Sequence, residues 1–109
     1  MTGVIIELKI KILTYTDNSQ PGWVRCCFSD IHKRVHYVDE KVPVITELDL
    51  TEESEYPQDG YIRCEVITTN DNVVTIDISN PFSLEDENGE TIFKVFSDQI
   101  GAVETNSRK

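Results

Sequence analysis

The sequence predicts an all-β fold: a small six- to seven-stranded, mostly antiparallel barrel or sandwich with at most one short helical turn. Three observations carry this. Apolar and polar residues alternate with period 2 in several short segments. Turn-forming residues separate those segments. No segment repeats its apolar residues at helical spacing over an amphipathic length.

The N-terminal segment is the clearest strand. Ile6, Leu8, Ile10 and Ile12 alternate with Glu7, Lys9 and Lys11, so one face is apolar and the other charged. Leu13 and Tyr15 fall on the opposite parity, which predicts a β-bulge or a bend after Ile12. Asp17 to Gly22 reads as a turn. Trp23–Ser29 is a second strand, with Val24, Cys26 and Phe28 on one face and Trp23, Arg25 and Cys27 on the other. Asp30 to Lys33 connects it to a third strand, Arg34–Val38. Asp39-Glu40-Lys41 reads as a bulge or break. Val42–Ile45 continues the β signal as an edge or strand end, because Pro43 has no N–H for a ladder.

Residues 46–59 are acidic, with Leu48, Leu50 and Tyr56 as their apolar members. They read as a loop with room for one helical turn capped by Thr46 or Thr51 and stopped by Pro57. Gly60 opens a fourth strand, Tyr61–Thr68, in which Ile62, Cys64 and Val66 alternate with Arg63 and Glu65. Asn70-Asp71-Asn72 turns the chain into Val73–Ser79, where Val74, Ile76 and Ile78 point inward. Glu85 to Glu90 is a second acidic loop holding an Asn-Gly turn signal. Thr91–Phe96 is a sixth strand, and Ser97 to Val103 is a turn of helix or a final edge. One domain over residues 1–103 with a flexible tail at 104–109 is the expected organisation.

Ten basic and twenty acidic side chains leave a net charge of −10. The imbalance is local. Residues 1–45 carry six basic and five acidic side chains, whereas residues 46–109 carry four and fifteen. Such a surface repels nucleic-acid phosphates and anionic lipid and attracts basic proteins. The plainer role of this charge is solubility. No N-terminal apolar run of signal length and no membrane-length span occur, so a cytoplasmic location with reduced thiols is expected.

The chemistry-bearing residues form no recognisable motif. Cys26 and Cys27 are neighbours on a strand and point to opposite faces, which makes them poor disulfide partners. A Cys26–Cys64 pair stays open. His32 and His36, with Cys27 or Cys64, make a conceivable zinc set or nucleophile–base pair, but neither a zinc spacing nor a nucleophile elbow supports them. No phosphate-cradling glycine motif is present. The expectation is therefore a protein that is not an enzyme and needs no cofactor or metal. The acidic loops remain as a candidate partner surface: Glu47, Asp49, Glu52, Glu53, Glu55 and Asp59 in one cluster with Tyr56, and secondarily Tyr61, as aromatic anchors, and Glu85, Asp86, Glu87 and Glu90 in the other.

At residues 40–44, 60–66 and 91–96 the chain resembles small uncharacterised bacterial all-β proteins. In size and acidity it is similar in kind to the immunity proteins of bacterial toxin–immunity pairs, a similarity that assigns no individual residue. The resemblance implies an inhibitor that binds a basic toxin, a nuclease in its sharpest form, and blocks its active site with carboxylates in place of phosphates. The alternative is a β-barrel accessory or interaction domain, self-associating through the Val42–Ile45 edge.

Overall fold

The computed structural model of the protein describes residues 4–19 and 21–103, with side chains to residue 101. The tail expected at 104–109 lies outside the described residues. Among the described residues seven strands form one antiparallel sheet: β1 (Ile5–Asp17), β2 (Trp23–Ser29), β3 (Val35–Lys41), β4 (Gln58–Asn70), β5 (Val73–Asp77), β6 (Ile92–Phe96) and β7 (Ile100–Val103). Their spatial order is β3-β2-β1-β4-β5-β6, with β7 also paired to β1. One helical turn, α1 (Val42–Ile45), follows β3, and a 3-10 turn at Ser97–Gln99 precedes β7. The chain is all-β, as its alternation predicts, and the sheet rolls into a half-barrel.

Strand β1 organises the rest. Ile6, Leu8, Ile10 and Ile12 are all buried, so the predicted apolar face is the core face. Along one edge β1 pairs with β4, setting Ile6 opposite Cys64 and Leu8 opposite Ile62. Along the other it meets β7 at Ile6–Leu8 and β2 from Lys11 onward. The register shifts between Ile12 and Thr14, where the parity of the sequence changes. A bulge there bends the strand and increases its twist, which lets one strand serve both halves of a curved sheet.

Segment 42–45 is not the edge strand that its β-branched residues suggest. It forms α1, with Pro43 in the first turn and the Thr46 N–H donating to the Val42 carbonyl. Proline at the first helical positions loses no hydrogen bond and has its φ already set. The i, i+3 spacing then buries both Val42 and Ile45 against the core. As a helical turn the segment presents no strand edge of the kind expected for self-association. Gly60, at the start of β4, makes room for this packing. A Cβ there would lie 2.8 Å from Ile12 Cδ1 and 2.9 Å from Ile45 Cγ2.

Strand β3 is longer than predicted, because Asp39, Glu40 and Lys41 continue the ladder opposite Arg25, Val24 and Trp23. Arg25 pairs with Asp39 at 3.0 Å and lies 4.5 Å from the Tyr37 ring centre, so the charged stretch is stabilised on the outer face.

The three thiols are unpaired. Cys26 stands opposite Ile12 on one edge of β1 and Cys64 opposite Ile6 on the other. Six residues of strand separate these positions by about 20 Å, far beyond disulfide reach. Both side chains are buried. Burial, assisted by nearby Cys27, Asp39 and Glu40 for Cys26 and by Asp77 for Cys64, pushes each thiol from 9.0 up to about 12. Below pH 9.0 these thiols are protonated in both folded and unfolded chains. Between 9.0 and about 12 the unfolded chain releases protons that the folded chain keeps, so stability falls across that window. Brief iodoacetamide treatment of the native protein is expected to label only half-buried Cys27, and all three thiols after urea denaturation. Fast native labelling of Cys26 or Cys64 would contradict the inward register of β2 and β4.

Candidate functional site

Two places outside the plain core gather polar chemistry: the acidic loop between α1 and β4, and the seam between the two ends of the sheet. The loop is held from within. Leu50 is buried, and Tyr56 packs against the core while its hydroxyl donates to the Thr51 carbonyl at 2.7 Å. With these two turned inward, Glu47, Asp49, Glu52, Glu53 and Glu55 are left exposed. Among the described residues none of the five takes part in an ion pair. Glu52 accepts a hydrogen bond from Asn18 at 3.2 Å. Asp59 differs, because Lys11 lies 2.6 Å away and its hydrogen bond holds the Asp59 carboxyl below the usual range.

Beside the loop is an open groove of about 500 Å³, lined by Glu7, Glu47, Leu48, Asp59, Tyr61 and Phe82 among others. Leu48 is 56% exposed, and Tyr61 and Phe82 are also exposed. Arg63 also lines the groove, with its guanidinium 5.4 Å from the Phe82 ring centre, and Tyr61 lies over Gly101, where a Cβ would come within 2.6 Å of the ring. The groove thus offers apolar contact area inside a mostly carboxylate rim. Tyr56 is a brace under the loop, and the exposed aromatic beside the acids is Tyr61.

The seam is built differently. The edges of β3 and β6 approach each other without pairing. Phe28 meets Phe93 edge to face with ring centres 5.1 Å apart, and the His36 ring lies 4.5 Å from Phe93. The connecting loops supply the missing hydrogen bonds: the Ile31 N–H donates to the Lys94 carbonyl, and the Glu87 N–H to the Tyr37 carbonyl. His36 lies between two carboxylates. Its Nε2 is 2.8 Å from Asp30 Oδ2 and its Nδ1 is 3.3 Å from Asp86 Oδ2. Each carboxylate uses its other oxygen to shape its own loop. Asp30 Oδ1 accepts the N–H groups of His32 and Arg34, and Asp86 Oδ1 accepts those of Asn88 and Glu90. Burial would raise the Asp30 carboxyl, but the His36 and backbone hydrogen bonds outweigh it and hold it below its ordinary value.

Compared with known proteins, the chain matches no family model, no curated protein and no solved structure. What the sites can do is therefore argued from their own geometry.

The side chains of the second acidic cluster are not all turned to one exposed face. Glu85 is exposed, but Asp86 is only 3% exposed and belongs to the seam, and Glu87 pairs with Arg25. Nor do the cysteines meet the histidines. Cys27 lies opposite Tyr37 on the outer face, whereas His36 lies opposite Phe28 on the core face. Cys64 sits on β4, away from the seam. The seam residues Asp30, His36, Asp86 and Glu90 are an arrangement that spacing alone does not reveal. One signal is present, however. Leu84 and Asp86 share a parity, and Asp86 precedes an Asn-Gly turn whose amides a short carboxylate can cap. Gly89 has φ +82°, as that turn requires.

No described helix is long and apolar enough to cross a membrane.

Proposed function

We propose that the protein is an acidic protein-binding module, in its sharpest form an immunity-type inhibitor that neutralises a basic toxin such as a nuclease by covering its active site. The observation that carries this reading is the groove of Leu48, Tyr61 and Phe82 beside five exposed acids without ion pairs among the described residues. Apolar side chains contribute desolvated contact area, and the surrounding carboxylates select a cationic partner and speed its encounter. Carboxylates on a loop pinned by Leu50 and Tyr56 meet a phosphate-binding surface with little ordering cost.

The test is capture of a partner from the native cell at low salt, followed by kinetics with the protein captured. Reversing Glu47, Asp49, Glu52 and Glu53 together to Lys is expected to slow association by on the order of tenfold or more and to flatten its salt dependence. Leu48→Ala is expected to raise the dissociation rate instead. An unchanged on-rate in the fourfold variant would sink the acidic-face mechanism.

A further inference from the structure

We propose that His36, Asp86 and Glu90 form a binding site for one divalent transition-metal ion at the β3–β6 seam, with Asp30 orienting the histidine from outside the coordination shell. The site shares no residue with the acidic groove and does not rest on the function proposed for it. One ligand atom from each of the three residues lies within 4.8 Å of the others. The argument turns on the two sides of the His36 ring. At 2.8 Å, Nε2 makes a short hydrogen bond to Asp30, which places a proton on that nitrogen. Nδ1 then faces Asp86 Oδ2 at 3.3 Å, longer than the usual 2.7–2.9 Å of a charge-assisted N–H to carboxylate bond. A metal ion can bridge that gap in place of a proton on Nδ1, as metal binding to histidine displaces a proton.

A metal ion fits the spacing. Bonds of about 2.1 Å from Nδ1 and Oδ2 would span 3.3 Å at an angle of about 104°, close to tetrahedral. A histidine that gives its other N–H to a carboxylate is the usual outer support of a metal-ligating imidazole. The loop is already set, because Asp86 Oδ1 holds two backbone N–H groups and leaves Oδ2 for the ion. Glu90 is exposed, so a rotamer change closes the third ligand and leaves a fourth position for water. The adjoining recess also contains Arg34 and Lys94, which with Asp30, Asp86 and Glu90 leave one net negative charge around the site. A nitrogen ligand with two carboxylates favours zinc or a similar ion over magnesium.

The test is calorimetric titration of the metal-free full chain with zinc chloride at about neutral pH, with magnesium chloride as the control. The expected result is one equivalent of zinc and no response to magnesium. Glu90→Gln should weaken zinc binding at least about tenfold while leaving the Tm of the metal-free protein unchanged, and Asp30→Asn should weaken it about 10- to 100-fold. A Cys27→Ser, His32→Gln variant should bind as the parent does. Absence of saturable zinc binding would overturn the site. So would binding that survives Glu90→Gln but is lost in the Cys27→Ser, His32→Gln variant.

Discussion

Asp86→Ala is expected to destabilise the metal-free protein by about 3–5 kcal/mol, from leaving two loop N–H groups without their acceptor at about 1–3 kcal/mol each and emptying a buried position beside His36. The side chain is 3% exposed, accepts two backbone N–H groups and faces the His36 ring at 3.3 Å. Its loss leaves His36 without that contact and the N–H groups of Asn88 and Glu90 without their acceptor. Those two amides shape the loop whose Glu87 N–H closes onto the Tyr37 carbonyl of β3, so the damage reaches the edge of the sheet. In a domain of this size the loss lowers Tm by roughly 10–25 °C. Asp86→Asn keeps an oxygen for the loop amides and should cost clearly less. The neighbouring Glu87→Ala removes only a partly exposed pair with Arg25 and should cost about 0–1 kcal/mol. Urea unfolding of the three variants checks the order. If Asp86→Ala and Glu87→Ala unfold at the same midpoint, Asp86 does not hold the seam.

Leu8→Ala is expected to cost about 2.7–5 kcal/mol, the range for emptying a fully buried leucine site. Leu8 is 0% exposed and lies opposite Ile62 of β4 on one side and Ile100 of β7 on the other. Backbone pairing on both sides limits how far the surroundings can close on the void. Its neighbour Lys9 points outward, and Lys9→Ala should stay within about 0.5 kcal/mol of the parent. The contrast between adjacent residues tests the register of β1, because a slip by one residue would exchange the two effects. A large loss in Lys9→Ala with a small one in Leu8→Ala would require a different sheet.

Most of the fold is legible in the residues because a half-buried strand writes its environment into every second position. Strand β2 runs over Trp23–Ser29 as its alternation predicts, and the parity change after Ile12 marks a real register shift. Asp71 adopts a left-handed φ of 56° in the turn joining β4 to β5, where the Asn-Asp-Asn run points to one. Two segments were less readable. In Val42–Ile45 the β-branched residues argue for a strand, yet burial of Val42 and Ile45 on one side of a helical turn prevails, since tertiary packing outweighs a weak local preference. Asp39-Glu40-Lys41 reads as a break because it is charged, but cross-strand partners on β2 carry it on as strand.

The candidate sites divide along the same line. By itself the sequence determined the all-β class, the inward face of each main strand, the exposed acidic loop and the excess of negative charge, since these depend on neighbours one or two positions away. Only the tertiary structure decided which acids face solvent. It turned Asp86 inward to His36, turned Tyr56 under its loop and brought Tyr61 and Phe82 beside Leu48. Those contacts join residues tens of positions apart. They exist because rolling the sheet brings β3 and β6 together, and no local spacing encodes where two ends of a curved sheet will meet.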